Sequence, residues 1–141
     1  MDMLNATDVR KNWSYTLDSV VREKPAYVKR THDSIAMIGI PTLNEILSGY
    51  HFYADEFKES DGSITLSLKD MDIVVNDVDH DRAMRRLAAY IKEYAEEYYS
   101  DFDLMSKAVN RRSHIPYVFK ALTIDENSIL EDIICQDGNT D

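Results

Sequence analysis

The sequence has one cysteine, Cys135, so it can form no internal disulfide and no multi-cysteine metal site. Only four glycines are present, and they are scattered, so no phosphate-cradling loop is written into the chain. There is no G-x-S-x-G elbow and no H-E-x-x-H motif. The four histidines, His32, His51, His80 and His114, never stand four residues apart, and spacing therefore predicts no metal ligand set. No run of 18 apolar residues exists, which argues against a membrane span. The N-terminus carries Asp2 and Asp8 and lacks a signal-peptide core. These absences together lead us to expect a cytoplasmic protein without cofactor or metal. Carboxylates are too abundant for a catalytic pair to stand out, so we expect no enzyme.

What is present is enough to fold. Hydrophobic residues make up 44% of 141 residues, well above the composition of a disordered chain. The net charge is -10, but it is unevenly spread. Residues 1–48 hold six Lys+Arg and six Asp+Glu, and residues 49–141 hold ten against twenty. Such asymmetry between the two parts of a chain hints at two partners of different charge.

In the first part, Leu4 and Ala6 alternate with Asn5 and Thr7 as in a minimal strand. Thr7 could cap a helix running to about Asn12, with Arg10 in its first turn and Lys11 following. A basic residue there opposes the helix dipole, which invites a use other than stability. Ser14 could cap a second helix over 14–23, with Trp13 stapled to an apolar face of Leu17, Val20 and Val21. Pro25 stops it. Ala26–Val28 and Ile35–Ile40 read as a hairpin whose polar tip runs from Lys29 to Ser34. Thr42 could cap a third helix over 42–49, with Leu43, Ile46 and Leu47 turned inward.

The order and spacing of Thr7-x-x-Arg10-x-Asn12-Trp13-Ser14, the Val20-Val21 pair, Pro25, Val28-Lys29-Arg30 and the apolar second hairpin strand resemble the N-terminal domain of the Phd/YefM (prevent-host-death) antitoxins. The resemblance implies a homodimer that binds operator DNA, represses its own operon and neutralises a cognate protein toxin with the rest of the chain. Carried onto this sequence, it makes Arg10 the base reader, forking to a guanine O6 and N7. It makes Lys11, Lys29 and Arg30 phosphate holders. On the residues alone, Arg10 and Lys11 read first as solvated helix charges.

The remaining residues do not read as a flexible arm. Phe52 to Lys58 alternates loosely, and Asp61-Gly62 marks a turn. Ile64, Leu66 and Leu68 alternate cleanly with polar neighbours, and Met71 to Val75 is a third apolar strand. Asp79 caps a long helix over 80–99, with Ala83, Leu87, Tyr90, Ile91, Tyr94 and Tyr98 on one face, a stripe that reads first as packing. Three strands and a helix resemble, at the Asp-Gly turn and the capped helix, the unit of HicB antitoxins. Pro116 suits the first turn of a helix over 116–122. Asp125 caps a last helix from Glu126 to Ile134, which would carry Cys135 at its end as a small core residue, and the tail from Gln136 reads as frayed. Arg111 and Arg112, with Tyr117 nearby, form the densest basic site in this acidic part. They read either as a contact to DNA or partner, or as an internal ion pair.

The expectation is an α+β protein: a Phd/YefM-like DNA-binding and dimerisation lobe over 1–49, then an acidic partner-binding region over 50–141. That region would comprise a small antiparallel sheet, a long helix and C-terminal helices. The rival expectation is a non-enzymatic interaction protein of the same fold that binds no DNA.

Overall fold

A computed structural model describes residues 1–139. The chain is α+β and divides into two compact units, Met1–Ile46 and the residues from Leu47 onward.

The first unit runs β1 (Leu4–Asn5), α1 (Ala6–Lys11), α2 (Trp13–Arg22), β2 (Ala26–Arg30), β3 (Asp33–Met37) and α3 (Ile40–Ile46). β1 lies parallel to β2, with Leu4 opposite Val28. β2 and β3 form an antiparallel hairpin closed by Arg30 opposite Asp33. Lys29 and Arg30 therefore belong to the strand, and the turn is only Thr31-His32. The cap of α1 is Asn5, whose side-chain oxygen accepts from the Thr7 amide at 2.8 Å. This corrects the reading of Thr7 as cap. Both residue types cap well, and the earlier one wins because the strand is only two residues long. Arg10 and Lys11 consequently sit in the last turn of α1, where they complement the helix dipole. Their position gives no argument for a role outside stability.

α2 starts at Trp13 rather than Ser14 and has no side-chain cap; Thr16 instead turns its hydroxyl back to the Asn12 carbonyl at 3.0 Å. β3 stops at Met37, because α3 begins at Ile40 and takes Pro41 into its first turn, where a missing N–H costs nothing. Thr42 caps nothing. The buried apolar residues of this unit are few, chiefly Val9 and Val28. Trp13 (51% exposed), Val21 (74%) and Ile35 (53%) stay uncovered, as do Leu17 and Ile46, so the predicted apolar faces exist without being buried by their own chain.

The second unit contains β4 (Phe52–Lys58), β5 (Ile64–Leu68), β6 (Ile73–Asp77), α4 (His80–Ser100), α5 (Phe102–Lys107), α6 (Ile115–Thr123), α7 (Glu126–Asp132) and β7 (Ile133–Asp137). The sheet order is β6-β5-β4-β7, antiparallel except that β7 runs parallel to β4. The β4–β5 turn uses Gly62 at φ 86, and the Asp61 carboxylate accepts from the Ser63 amide at 2.9 Å. Asp79 caps α4 by accepting from the Arg82 amide, and Asp125 caps α7 by accepting from the Ser128 amide. Phe52, Ala54, Leu66 and Leu68 of the sheet pack with Leu87, Ile91 and Tyr98 of α4, Val118 of α6 and Ile129 of α7.

Three expectations change here. Met71 belongs to a 3-10 turn, and Asp72, at φ 54, redirects the chain so that the third strand begins at Ile73. The last helix ends at Asp132, and Ile133 to Asp137 become β7, because the β-branched pair Ile133-Ile134 fills the open edge of β4. Gln136 and Asp137 are thus in the strand, and the Gly138 amide continues to the Glu56 carbonyl at 2.8 Å. The rest of the expected frayed tail, Thr140 and Asp141, lies outside the described residues. The tyrosine stripe grades outward: Tyr98 is core, Tyr94 is half-buried, and Tyr90 lies at the surface under Arg86.

Candidate nucleic-acid interface and partner surface

In the first unit, Ala6, Val9, Arg10 and Trp13 follow one another at helical spacing and face one side of the hairpin. On that side of the sheet, alternation brings Val28 and Arg30 of β2 beside Ile35 and Met37 of β3. The result is an open groove of about 510 Å³ with an apolar floor and Arg10 and Arg30 in its wall. The same alternation sends Lys29 to the opposite face, and Lys11 does not line the groove. Of the four basic residues, two are therefore brought together and two are not. Arg30 also pairs with Asp33 at 3.3 Å, both side chains being exposed. Trp13, Ile35 and Met37 were not singled out from sequence as site residues. The available signal was the period of two in β3 and the seven-residue step from Ala6 to Trp13.

In the second unit, Arg111 is used internally. Its guanidinium donates to the Tyr94 hydroxyl at 2.9 Å and lies over that ring, and its carbonyl accepts from the Tyr98 hydroxyl at 2.8 Å. The partner it finds is aromatic, not a carboxylate. Arg112 is exposed and makes no ion pair among the described residues. Tyr117 stacks edge-on against Tyr50, 5.5 Å between centroids, which leaves it half-buried. These three residues do not converge on one surface contact.

Much of the remaining positive charge is also spent within this unit. Asp77, 3% exposed at its side chain, accepts from Arg82 Nε with both oxygens (3.0 and 2.9 Å) and from Arg86 Nη1 at 3.1 Å. The Arg82 hydrogen bonds hold the Asp77 carboxyl far below the usual carboxylate range. Lys92 donates to the carbonyls of Ala121 (2.8 Å) and Ile124 (2.7 Å), ending α6. These cations are tied down in a part of the chain that holds ten Lys+Arg against twenty Asp+Glu over residues 49–141. No helix among the described residues is long and apolar enough to cross a membrane.

The α+β chain thus joins a unit with an open apolar groove to an acidic second unit. A family model described as PHD-like, antitoxin of a RelE/RelB toxin–antitoxin system, matches residues 1–135, and the chain belongs to this family of antitoxins. The match spans both units. A solved structure from Syntrophomonas wolfei subsp. wolfei, described as the antitoxin part of a proposed toxin/antitoxin system, superposes with a TM-score of 0.92 at 33% identity. That alignment covers 97% of this chain and 99% of the other. Among curated proteins, none matches the sequence.

Proposed function

We propose that this antitoxin works in the Phd/YefM manner. The first unit dimerises and binds operator DNA to repress its own operon, and the acidic second unit binds and neutralises a protein toxin in the cytoplasm without catalysing a reaction. The carrying observation is the groove, where Arg10 and Arg30 flank exposed Trp13 and Ile35 and half-buried Met37. A unit of this size with so few buried apolar residues gains stability from a second copy that covers such a face. Two-fold symmetry would then double the arginines at its margin and compensate for the unit's lack of net positive charge. Arg10 reads a base; Arg30, Lys11 and Lys29 hold phosphates. An acidic second unit suits a basic toxin, and steers its encounter. Arg112 and Tyr117 are separate candidates there for toxin contact, whereas Arg111 is held inside the unit by Tyr94 and Tyr98. The HicB likeness rests on the β4–β6 meander and α4 and adds nothing to this reading.

The Arg30–Asp33 pair favours the rival, an interaction protein that binds no DNA. An exposed pair of this kind contributes about 0–1 kcal/mol, little enough for a phosphate to displace it. Fluorescence anisotropy with the protein's own upstream DNA across a salt series decides between the readings. Arg10→Ala is expected to cost about 1–3 kcal/mol in specific binding with intact folding. No specific binding at low salt, with or without toxin, would leave the rival. Failure of a toxin to co-purify would remove the neutralising half.

A further inference from the structure

Glu56, His80 and Cys135 come from β4, the first turn of α4 and β7, and their donor atoms lie within 4.8 Å of one another. The sheet register explains the meeting. Cys135 stands opposite the buried Ala54 across the β4–β7 pair, and Glu56 follows Ala54 by two residues, so both side chains emerge on the face that α4 covers. The Asp79 cap then places His80 at the mouth of the helix above them. Its Nε2 is 2.7 Å from Glu56 Oε1. One turn further on, Met84 Sδ lies 3.5 Å from Cys135 Sγ.

We propose that Glu56, His80 and Cys135 form a binding site for a divalent transition metal of the zinc class. Carboxylate oxygen, imidazole nitrogen and thiolate sulfur are the donors such ions take, while a thiol excludes magnesium and calcium. Bond lengths of about 2.0–2.3 Å place tetrahedral donors about 3.3–3.6 Å apart. The present separations start at 2.7 Å and stay under 4.8 Å, so small side-chain rotations suffice. The fourth position is open: a solvent-connected cleft of about 460 Å³ adjoins Glu56 and Cys135, with Lys58 and Asp137 at its margin. Glu56 and His80 are partly accessible, 24% and 40% exposed at their side chains, which provides an entry path. The Met84 thioether lies beside the ligand sulfur, and Cys135, expected as a small core residue, is exposed at the edge strand. The ion takes the sulfur as thiolate and so displaces the thiol proton on binding. A bound ion would cross-link the last strand to β4 and to the start of α4. This inference is independent of the DNA and toxin readings.

The test uses the full chain, freed of metal by chelation and of any histidine tag, titrated with Co²⁺. A thiolate-to-cobalt charge-transfer band is expected, bleached by Zn²⁺ and absent in Cys135→Ser. His80→Ala is expected to weaken Zn²⁺ binding by about tenfold or more. One equivalent of Zn²⁺ should raise the melting temperature of the parent protein and leave that of Cys135→Ser unchanged, with circular dichroism confirming that both variants fold. No charge-transfer band in the parent, or a band kept in Cys135→Ser, or Zn²⁺ affinity unchanged in His80→Ala, would overturn the proposal. The trio would then be a hydrogen-bonded carboxylate–imidazole pair beside an inert thiol.

Discussion

Lys120 and Asp132 form an ion pair at 3.0 Å between side chains only 11% and 20% exposed, and it ties α6 to the end of α7. The same ammonium donates to the Tyr50 carbonyl at 2.5 Å, and Asp132 also meets His51 Nδ1 at 3.0 Å. Lys120→Met removes the cation and leaves a half-buried carboxylate and a carbonyl without their partner. The expected loss is about 3 kcal/mol by urea unfolding at neutral pH. Asp132→Asn should cost less, because Lys120 keeps the Tyr50 carbonyl. Equal or negligible costs would show that the pair does not hold these elements together.

His114 is buried, and its state is fixed by its neighbours. The Tyr94 hydroxyl accepts from Arg111 and lies 2.7 Å from His114 Nδ1. His114 Nε2 lies 3.7 Å from the Asp72 carboxylate. Burial pushes the imidazole pKa down; Asp72 and Asp70 oppose this, and Arg111 adds to it. The folded state therefore binds fewer protons than the unfolded chain, whose histidine titrates near 6.5. Stability from this group is complete above that value and is lost as pH falls through it. Melting temperatures of the parent between pH 7.5 and about 5 should fall more steeply than those of His114→Gln. Parallel curves would refute the assignment.

Thr31 holds φ 53, the left-handed region, at the tip of the β2–β3 hairpin. A β-branched residue there is strained. Thr31→Asn, which tolerates this conformation, is expected to stabilise the first unit by about 1 kcal/mol. A lower melting temperature would mean that the threonine side chain contributes more than its backbone costs.

A methyl group on Gly138 would meet the Phe57 ring at 2.6 Å. Gly138→Ala is expected to cost about 1–2 kcal/mol and to speed amide exchange along β7, where the Gly138 amide and the Glu56 carbonyl end the ladder. Unchanged exchange in β7 would show that Phe57 rotates aside freely.

The elements with strong local signals were legible. The period of Ala83, Leu87, Ile91 and Tyr98, with Asp79 ahead of it, marks α4, and Asp61-Gly62 marks the β4–β5 turn. β7 was not, because Ile129, Leu130, Ile133 and Ile134 satisfy a helix by spacing while the last two satisfy a strand by shape. Only the open edge of β4 decides, and an edge is a tertiary fact. Nothing local marks Lys92 or Lys120, because the carbonyls they bind are far away in sequence. In the candidate interface, Arg10 and Arg30 were legible as basic residues. That they share a groove while Lys29 turns away follows from the hairpin register, which depends on where a two-residue turn falls. Glu56, His80 and Cys135 escaped every spacing rule because three distant segments supply one residue each.

The pairing of β7 with β4 also sets an order of events during synthesis. Tyr53 and its partner Ile134 are separated by nearly the whole second unit, so the sheet cannot close until the ribosome has released Ile133–Asp137. Until then β4 presents a bare edge, and the nascent chain is open to proteases or to pairing with another strand. A toxin that recognises the finished sheet would find it only once β7 has docked on β4. Neutralising capacity would then lag translation by the time the last strand takes to dock.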